Sequence, residues 1–342
     1  MPLPTGANSS SDVWAGTITI EANGRTPTCA GIPVGNVVSV TQATASAVSR
    51  EENPTLGSFL LPEGFRRPHP LAVLREASVV LEAGRCAAAV VAERRQRRAT
   101  SYVLRQQPRR EEPVVLVPGF MAGDSSLRMM SATLRSRGFR TYSSHISANV
   151  GCTLAAAAEL EARIEAIAIK RDSRVQLVGH SLGGMLSRGL AARRPDLVAG
   201  IVTMGSPMLA PGAHHWVLTA AVESLVRLSR AGVPGLMAEE CVAGACARQS
   251  FDECRQPLPA GVTFTALHSR RDGVVDWRAC IDPEARSIEV EASHLGMAVD
   301  PRVAAHVEAA LLLPAGAGRR TARLGAARRA AAEAAEGSAL LA

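Results

Sequence analysis

The sequence predicts an α/β fold, a mostly parallel sheet with helices on both faces and a helical insertion capping one end. Three observations carry this. From Pro113 onward, short runs of apolar, β-branched residues alternate with segments of helical periodicity. One of those runs, "VQLVGHSLGGM" (175–185), passes from an apolar stretch directly into glycines around a single serine. Between Pro207 and Pro259 the chain is apolar and helical with no strand signal, so it reads as an inserted unit.

In chain order, the expected core runs as follows. A buried strand, "VVLVPGF" (114–120), leads to a helix over "LRMMSATLRSRG" (127–138) and a strand at "FRTYSS" (139–144). A long helix covers "LAAAAELEARIEAIAIKR" (154–171), where apolar groups recur every three or four residues. Val175, Leu177 and Val178 form the next strand, and helical composition resumes from Met185 to Arg194. Strands follow at "AGIVTMGSP" (199–207), "VTFTALHS" (262–269) and "SIEVEA" (287–292), and the helix "PRVAAHVEAALLL" (301–313) closes the core. Alternation of this kind implies a parallel sheet buried on both faces.

The flanks differ from this core. Residues 1–65 are polar and are expected to be disordered, and the Ala/Arg-rich tail 315–342 has little means of forming a core. Residues 66–112 form an arginine-rich helical extension, with a long helix over 71–98 that packs on the main domain through Leu71, Leu74, Val79 and Leu81. Eleven arginines stand between 66 and 110 against Glu76, Glu82 and Glu93, whereas 111–314 is nearly neutral. No aromatic residues interleave with "ERRQRR" (93–98), which argues against single-strand nucleic-acid reading. Contact of this basic helix with an anionic membrane is the alternative to its packing.

No uncharged apolar run of eighteen residues is present, and the first thirty residues show neither a basic opening nor a long apolar stretch. The expectation is a cytoplasmic protein without a membrane span. Among seven cysteines none forms C-x-x-C, and no histidine sits at zinc-finger spacing, so no metal site and no cofactor are expected. Cys241, Cys246 and Cys254 fall within fourteen residues, with Cys280 following, and a disulfide among them, which would argue for an oxidising compartment, stays open.

Chemistry concentrates at the strand ends. Strand, glycine-flanked serine and helix together form the context in which G-x-S-x-G lifts a serine hydroxyl clear of a sheet, so Ser181 is the candidate nucleophile. A serine needs a base to take its proton and an acid to orient that base. Asp272 lies in the turn after "VTFTALHS", beside Gly273, with Asp276 as the competing acid. His294 stands just past "SIEVEA". His180 reads as packing, His268 as a strand residue, His306 as part of the last helix, and His214 and His215 as a solvent-facing pair in the cap. For an oxyanion, one N–H is expected from Leu182 and a second from Phe120, because Gly119 permits close backbone approach.

With these pieces in order, residues 113–314 resemble the α/β-hydrolase superfamily, and within it the bacterial lipases and esterases. The resemblance rests on "LVPGF", "GHSLGG", "SRRDGVVDW" and "ASHLG". It implies an α/β-hydrolase fold with a cap at about 208–258. It implies Ser181 as nucleophile, His294 as base, Asp272 as orienting acid, and Phe120 and Leu182 as oxyanion donors. The chain departs from the common lipase pattern at Pro118, where histidine is usual. The expected reaction is cleavage of carboxylic esters of lipids or other apolar acyl groups through an acyl-enzyme. Acyl transfer, thioester cleavage and a non-catalytic binding role are the competing readings.

Overall fold

The computed structural model describes residues 56–99 and 112–314, with the side chains of 93, 94 and 96–99 left out. A 3-10 segment at Pro70–Ser78 runs into α1 (Val79–Ala99). The core then follows as β1 (Pro113–Val117), α2 (Arg128–Ser136), β2 (Arg140–Ser143), α3 (Thr153–Arg171), β3 (Val175–His180), α4 (Leu182–Arg193) and β4 (Val198–Met204). The inserted α5 (Trp216–Arg230) and α6 (Ala245–Cys254) precede β5 (Thr263–His268), β6 (Arg286–Glu289) and α7 (Pro301–Leu311). Every core element expected from the sequence is present.

The six strands form one parallel sheet in the order β2-β1-β3-β4-β5-β6. All residues of β1, β3 and β4 are buried, as continuous apolar runs in a two-sided parallel sheet require. Successive side chains point to opposite faces. Val114 and Leu116 therefore join Leu127, Met130 and Leu134 of the α2 side with Val303 and Val307 of α7. Val115 and Val117 join Ile164 and Ile167 of α3 with Leu186 and Leu190 of α4. Truncating one such buried leucine or isoleucine to alanine costs about 2–5 kcal/mol. This double layer is what holds the carboxyl ends of β3, β5 and β6 at one edge of the fold.

Two expectations for the N-terminal extension are corrected. Residues 56–65 fall within the stretch expected to be disordered, yet Leu56 and Leu60 are buried against Val222, Val226, Met237 and Phe251 of the cap. Their side chains complete an apolar cluster that the insertion alone leaves open. The second correction concerns 71–98. The segment does touch the core, but through Ala72, Glu76, Glu82 and Cys86, which are the buried residues. Leu71, Leu74 and Leu81 stand 65%, 67% and 66% exposed. Residues 1–55 and 315–342 lie outside the described residues, as do most side chains of "ERRQRR". No helix among the described residues is long and apolar enough to cross a membrane.

Candidate active site

β3 ends at His180, and the chain reverses at Ser181 with φ 53° and ψ −123°. A non-glycine residue in this region carries about 1–3 kcal/mol of backbone strain. The surroundings hold it there: the Ser181 N–H donates to Met204 O at 2.8 Å. Behind the turn, a Cβ at Gly183 would collide with the Val117 and Pro118 carbonyls, so glycine lets α4 start flush against β1. Ser181 Oγ does not cap α4, and the side chain lies on the wall of a cavity instead.

Asp272 and His294 arrive from the ends of β5 and β6. The Nδ1 of His294 lies 2.7 Å from Asp272 Oδ2, both side chains buried. A carboxylate only accepts, so Nδ1 carries the proton and Nε2 is left as the basic nitrogen. Asp272 Oδ1 accepts from the Val274 and Val275 N–H groups, each at 2.8 Å. The pair sits on Gly205, whose φ is 57°. A Cβ there would come within 3.0 Å of His294 Nδ1. Asp276 is engaged elsewhere: it accepts from Arg278 N at 3.1 Å, starting the 3-10 turn Trp277–Cys280, and pairs with the Arg278 guanidinium at 3.3 Å. No described hydrogen bond joins Ser181 Oγ to His294, a bond that often tightens only around substrate.

The electrostatics separate the two neighbouring histidines, whose ring centroids lie 4.8 Å apart with the planes tilted by 47°. Burial alone would depress His294, but the charge and hydrogen bond of Asp272, with a contribution from Glu76, outweigh it and raise its pKa. His180 is pushed down to about 4, first by burial and then by the charge of His294. It is therefore neutral, and its Nε2–H donates to His294 O at 2.9 Å. His180 thus supports the backbone of His294.

The loop after β1 faces Ser181 from the other side. A Cβ at Gly119 would lie 3.0 Å from that of Ser181, so Phe120 enters the same space. The Phe120 and Leu182 N–H groups make none of the described backbone hydrogen bonds. Asn149, fully enclosed, braces this loop: its Nδ2 donates to Pro118 O at 3.1 Å, its N–H to Ala122 O at 3.0 Å, and its carbonyl accepts from Met121 N at 3.1 Å.

The cavity measures about 140 Å³ and is bounded by Phe120, Ser181, Leu182, Met185, Leu218, Val222, Met237 and Phe251, among others. The cap thus supplies much of the wall. Trp216 does not; it is 54% exposed. His214 and His215 are buried, against the expectation of a solvent-facing pair. His214 lines the cavity, held through Pro211 O at 2.8 Å and Thr219 Oγ1 at 3.2 Å. His215 binds Pro70 O at 2.9 Å and caps α5.

Two acids escaped the sequence reading. Glu76 Oε1 accepts from Gly273 N at 2.9 Å and His294 N at 3.0 Å, and Oε2 from Leu295 N at 2.8 Å. Glu82 accepts from Ser293 N at 2.9 Å and Ser293 Oγ at 2.7 Å. The extension therefore pins the Asp272 turn and the His294 turn together from below. The one sequence signal was their isolation as acids among eleven arginines.

Glu76→Gln keeps one acceptor oxygen and removes the charge that raises His294. The His294 midpoint is expected to fall, read by NMR titration of the imidazole, with about 1–3 kcal/mol lost from stability for the unmet N–H. An unmoved midpoint would show that Glu76 has no electrostatic hold on His294.

The sequence profile of a family described as "alpha/beta hydrolase fold" matches residues 112–222. Among solved structures, the mature lipase BlEst2 of Bacillus licheniformis is similar at 16% identity over 60% of this chain and 94% of its own, with a TM-score of 0.48. The carboxylesterase CesB of Bacillus subtilis shows 16% identity over 60% and 85%, TM-score 0.39. A thioesterase domain of the curacin biosynthetic pathway shows 15% over 58% and 90%, TM-score 0.37. The match to this family model spans β1 to β4, and together with the six-stranded parallel sheet it gives the described residues an α/β-hydrolase fold.

Proposed function

We propose that the protein is a serine hydrolase that cleaves carboxylic esters with apolar acyl groups. The observation that carries this is Ser181 on the wall of an apolar cavity, beside a buried Asp272–His294 pair. In this reading His294 Nε2 takes the Ser181 proton as Oγ attacks the ester carbonyl. The Phe120 and Leu182 N–H groups receive the oxyanion, and Asp272 holds the imidazole and stabilises its charged form. Collapse expels the alcohol, protonated by His294, and water then cleaves the acyl-enzyme by the same route. A cavity walled mostly by hydrocarbon and sulfur suits an acyl chain.

Ser181→Ala is expected to lower p-nitrophenyl ester hydrolysis about 10³-fold or more with the fold retained. Asp272→Asn is expected to damage turnover far more than Asp276→Asn, which loosens only the Trp277–Cys280 turn. A Ser181→Ala protein within threefold of the parent, or the reverse ranking of the aspartates, would refute the assigned roles. Because turnover requires neutral His294 and its pKa is raised, activity is expected to fall on acidification through a midpoint above the ordinary 6.5.

The cap wall makes a second outcome specific. Leu218→Ser and Val222→Ser are expected to weaken long-chain esters more than acetates, since both line the cavity, while Trp216→Ser leaves the ratio unchanged. Equal losses on both esters would assign these side chains to folding alone.

We also infer that the exposed row of the extension meets anionic membrane surfaces. Because contact with the core is made by Glu76 and Glu82, packing does not account for Leu71, Leu74, Val80 and Leu81. Arg66, Arg67, Arg75, Arg270 and Arg278 border, together with Asp272 and Asp276, a hollow that reaches Ala72 of the same segment, with Arg75 Nη1 donating to Arg270 O at 3.3 Å. Leucines flanked by arginines suit an anionic bilayer, at about 1 kcal/mol per arginine. Full-length protein is expected to sediment with phosphatidylserine-containing vesicles at about 0.15 M salt, a screening regime in which distant charges contribute little. Leu71→Ser/Leu74→Ser is expected to release it. Absence of sedimentation would leave the row an ordinary exposed surface.

A further inference from the structure

Three cysteines from two segments far apart in sequence come together beside the cavity. The sulfurs of Cys152, Cys241 and Cys246 all lie within 4.8 Å of one another. Cys152 is the N-cap residue of the nineteen-residue α3, in the core. Cys241 ends the 3-10 turn Glu239–Cys241, and Cys246 lies in the first turn of the ten-residue α6, both in the cap. Sequence spacing excludes a C-x-x-C finger, but it does not bear on a site assembled from two separate segments.

We propose that Cys152, Cys241 and Cys246 form a trithiolate site for a thiophilic divalent cation, with Zn²⁺ as the chemical match, that ties the cap to the core. Geometry is the first support. Zinc–sulfur bonds of about 2.3 Å in a tetrahedron set sulfurs about 3.8 Å apart, so the trio needs to close by about 1 Å at most. Placement is the second: Cys152 starts α3 in the core while Cys246 lies in the first turn of α6 in the cap, so the trio joins the two units at one point.

The remaining described cysteines make the contrast. Burial pushes the Cys254 thiol up to about 12, raises Cys280 well above its usual value, and raises Cys86. Those three stay protonated and inert. The cluster, by comparison, has one buried and two half-buried members. A hollow of about 280 Å³, lined in part by His145, Cys152, Glu159, Ser229 and Cys241, provides access.

Binding involves no redox change. Each thiol releases its proton to solvent, three sulfur–metal bonds form, and a water completes the tetrahedron. Affinity therefore rises with pH. Cys241 also borders the cavity that holds Ser181, so the bound cation would fix the cap at the cavity wall.

The test uses full-length protein kept reduced, stripped with chelator and titrated with Co²⁺, then with Zn²⁺. One equivalent of Co²⁺ is expected to produce a thiolate-to-cobalt charge-transfer band that Zn²⁺ bleaches. Cys152→Ser and Cys246→Ser, both at half-buried positions, are expected to lose the band, while Cys254→Ala retains it. Zn²⁺ is expected to raise the melting temperature of the parent and leave that of Cys152→Ser unchanged. No band at one equivalent, a band unchanged in Cys152→Ser, or a Cys241–Cys246 disulfide whose reduced form still ignores Co²⁺ would each overturn the proposal.

Discussion

The arrangement at the mouth of this fold hangs on one buried carboxylate. Glu76 accepts three backbone N–H groups from two loops that the sheet delivers separately, one after β5 and one after β6. With no partner, each of these donors would cost about 1–3 kcal/mol where it is buried. The sheet brings the ends of β5 and β6 to adjacent positions, but strand pairing stops at Glu289. What sets Asp272 against His294 beyond that point is the acid beneath them, with Glu82 repeating the device one step along at Ser293. The extension is thus part of the site's scaffold, although the family match begins only at residue 112.

This constraint explains an inversion in the extension. A helix that packs by its leucines leaves its acids in water; here the acids face inward and the leucines outward. The inward face has to meet loops rich in unpaired N–H groups, and only acceptors satisfy them. At the other end of the cavity a related logic applies to the cap, where Leu56 and Leu60 fill the cluster formed by α5 and α6. Segments preceding the sheet therefore support the site from two sides.

Much of the fold was legible because a parallel sheet leaves little freedom to its sequence. Buried strands must be short apolar runs, and the glycines around Ser181 have no other use that suits a strand end. Ser181, Asp272 and His294 stand out for the same reason: each is a polar residue placed at the carboxyl end of a strand. Asp276 was harder to separate from Asp272, since both follow β5, and the difference is made by Arg278, which engages one of them. Glu76, Glu82 and Asn149 were not legible. They act on backbone groups about 30 to 220 residues away, and backbone donors leave no mark in side-chain chemistry. Helical periodicity likewise reports which residues share a face, not which face turns inward, so the burial of His214, His215 and the extension's acids was out of its reach.

Everything at this site turns on Ser181 being an activated nucleophile, which a fluorophosphonate probe tests without knowledge of the substrate. Full-length protein treated with the probe and digested for mass spectrometry is expected to carry a single adduct on the peptide containing Ser181, and to carry none after Asp272→Asn within the same labelling time. An intact protein that takes no label, or one labelled at another serine with Ser181 untouched, would rule out Ser181 as the nucleophile.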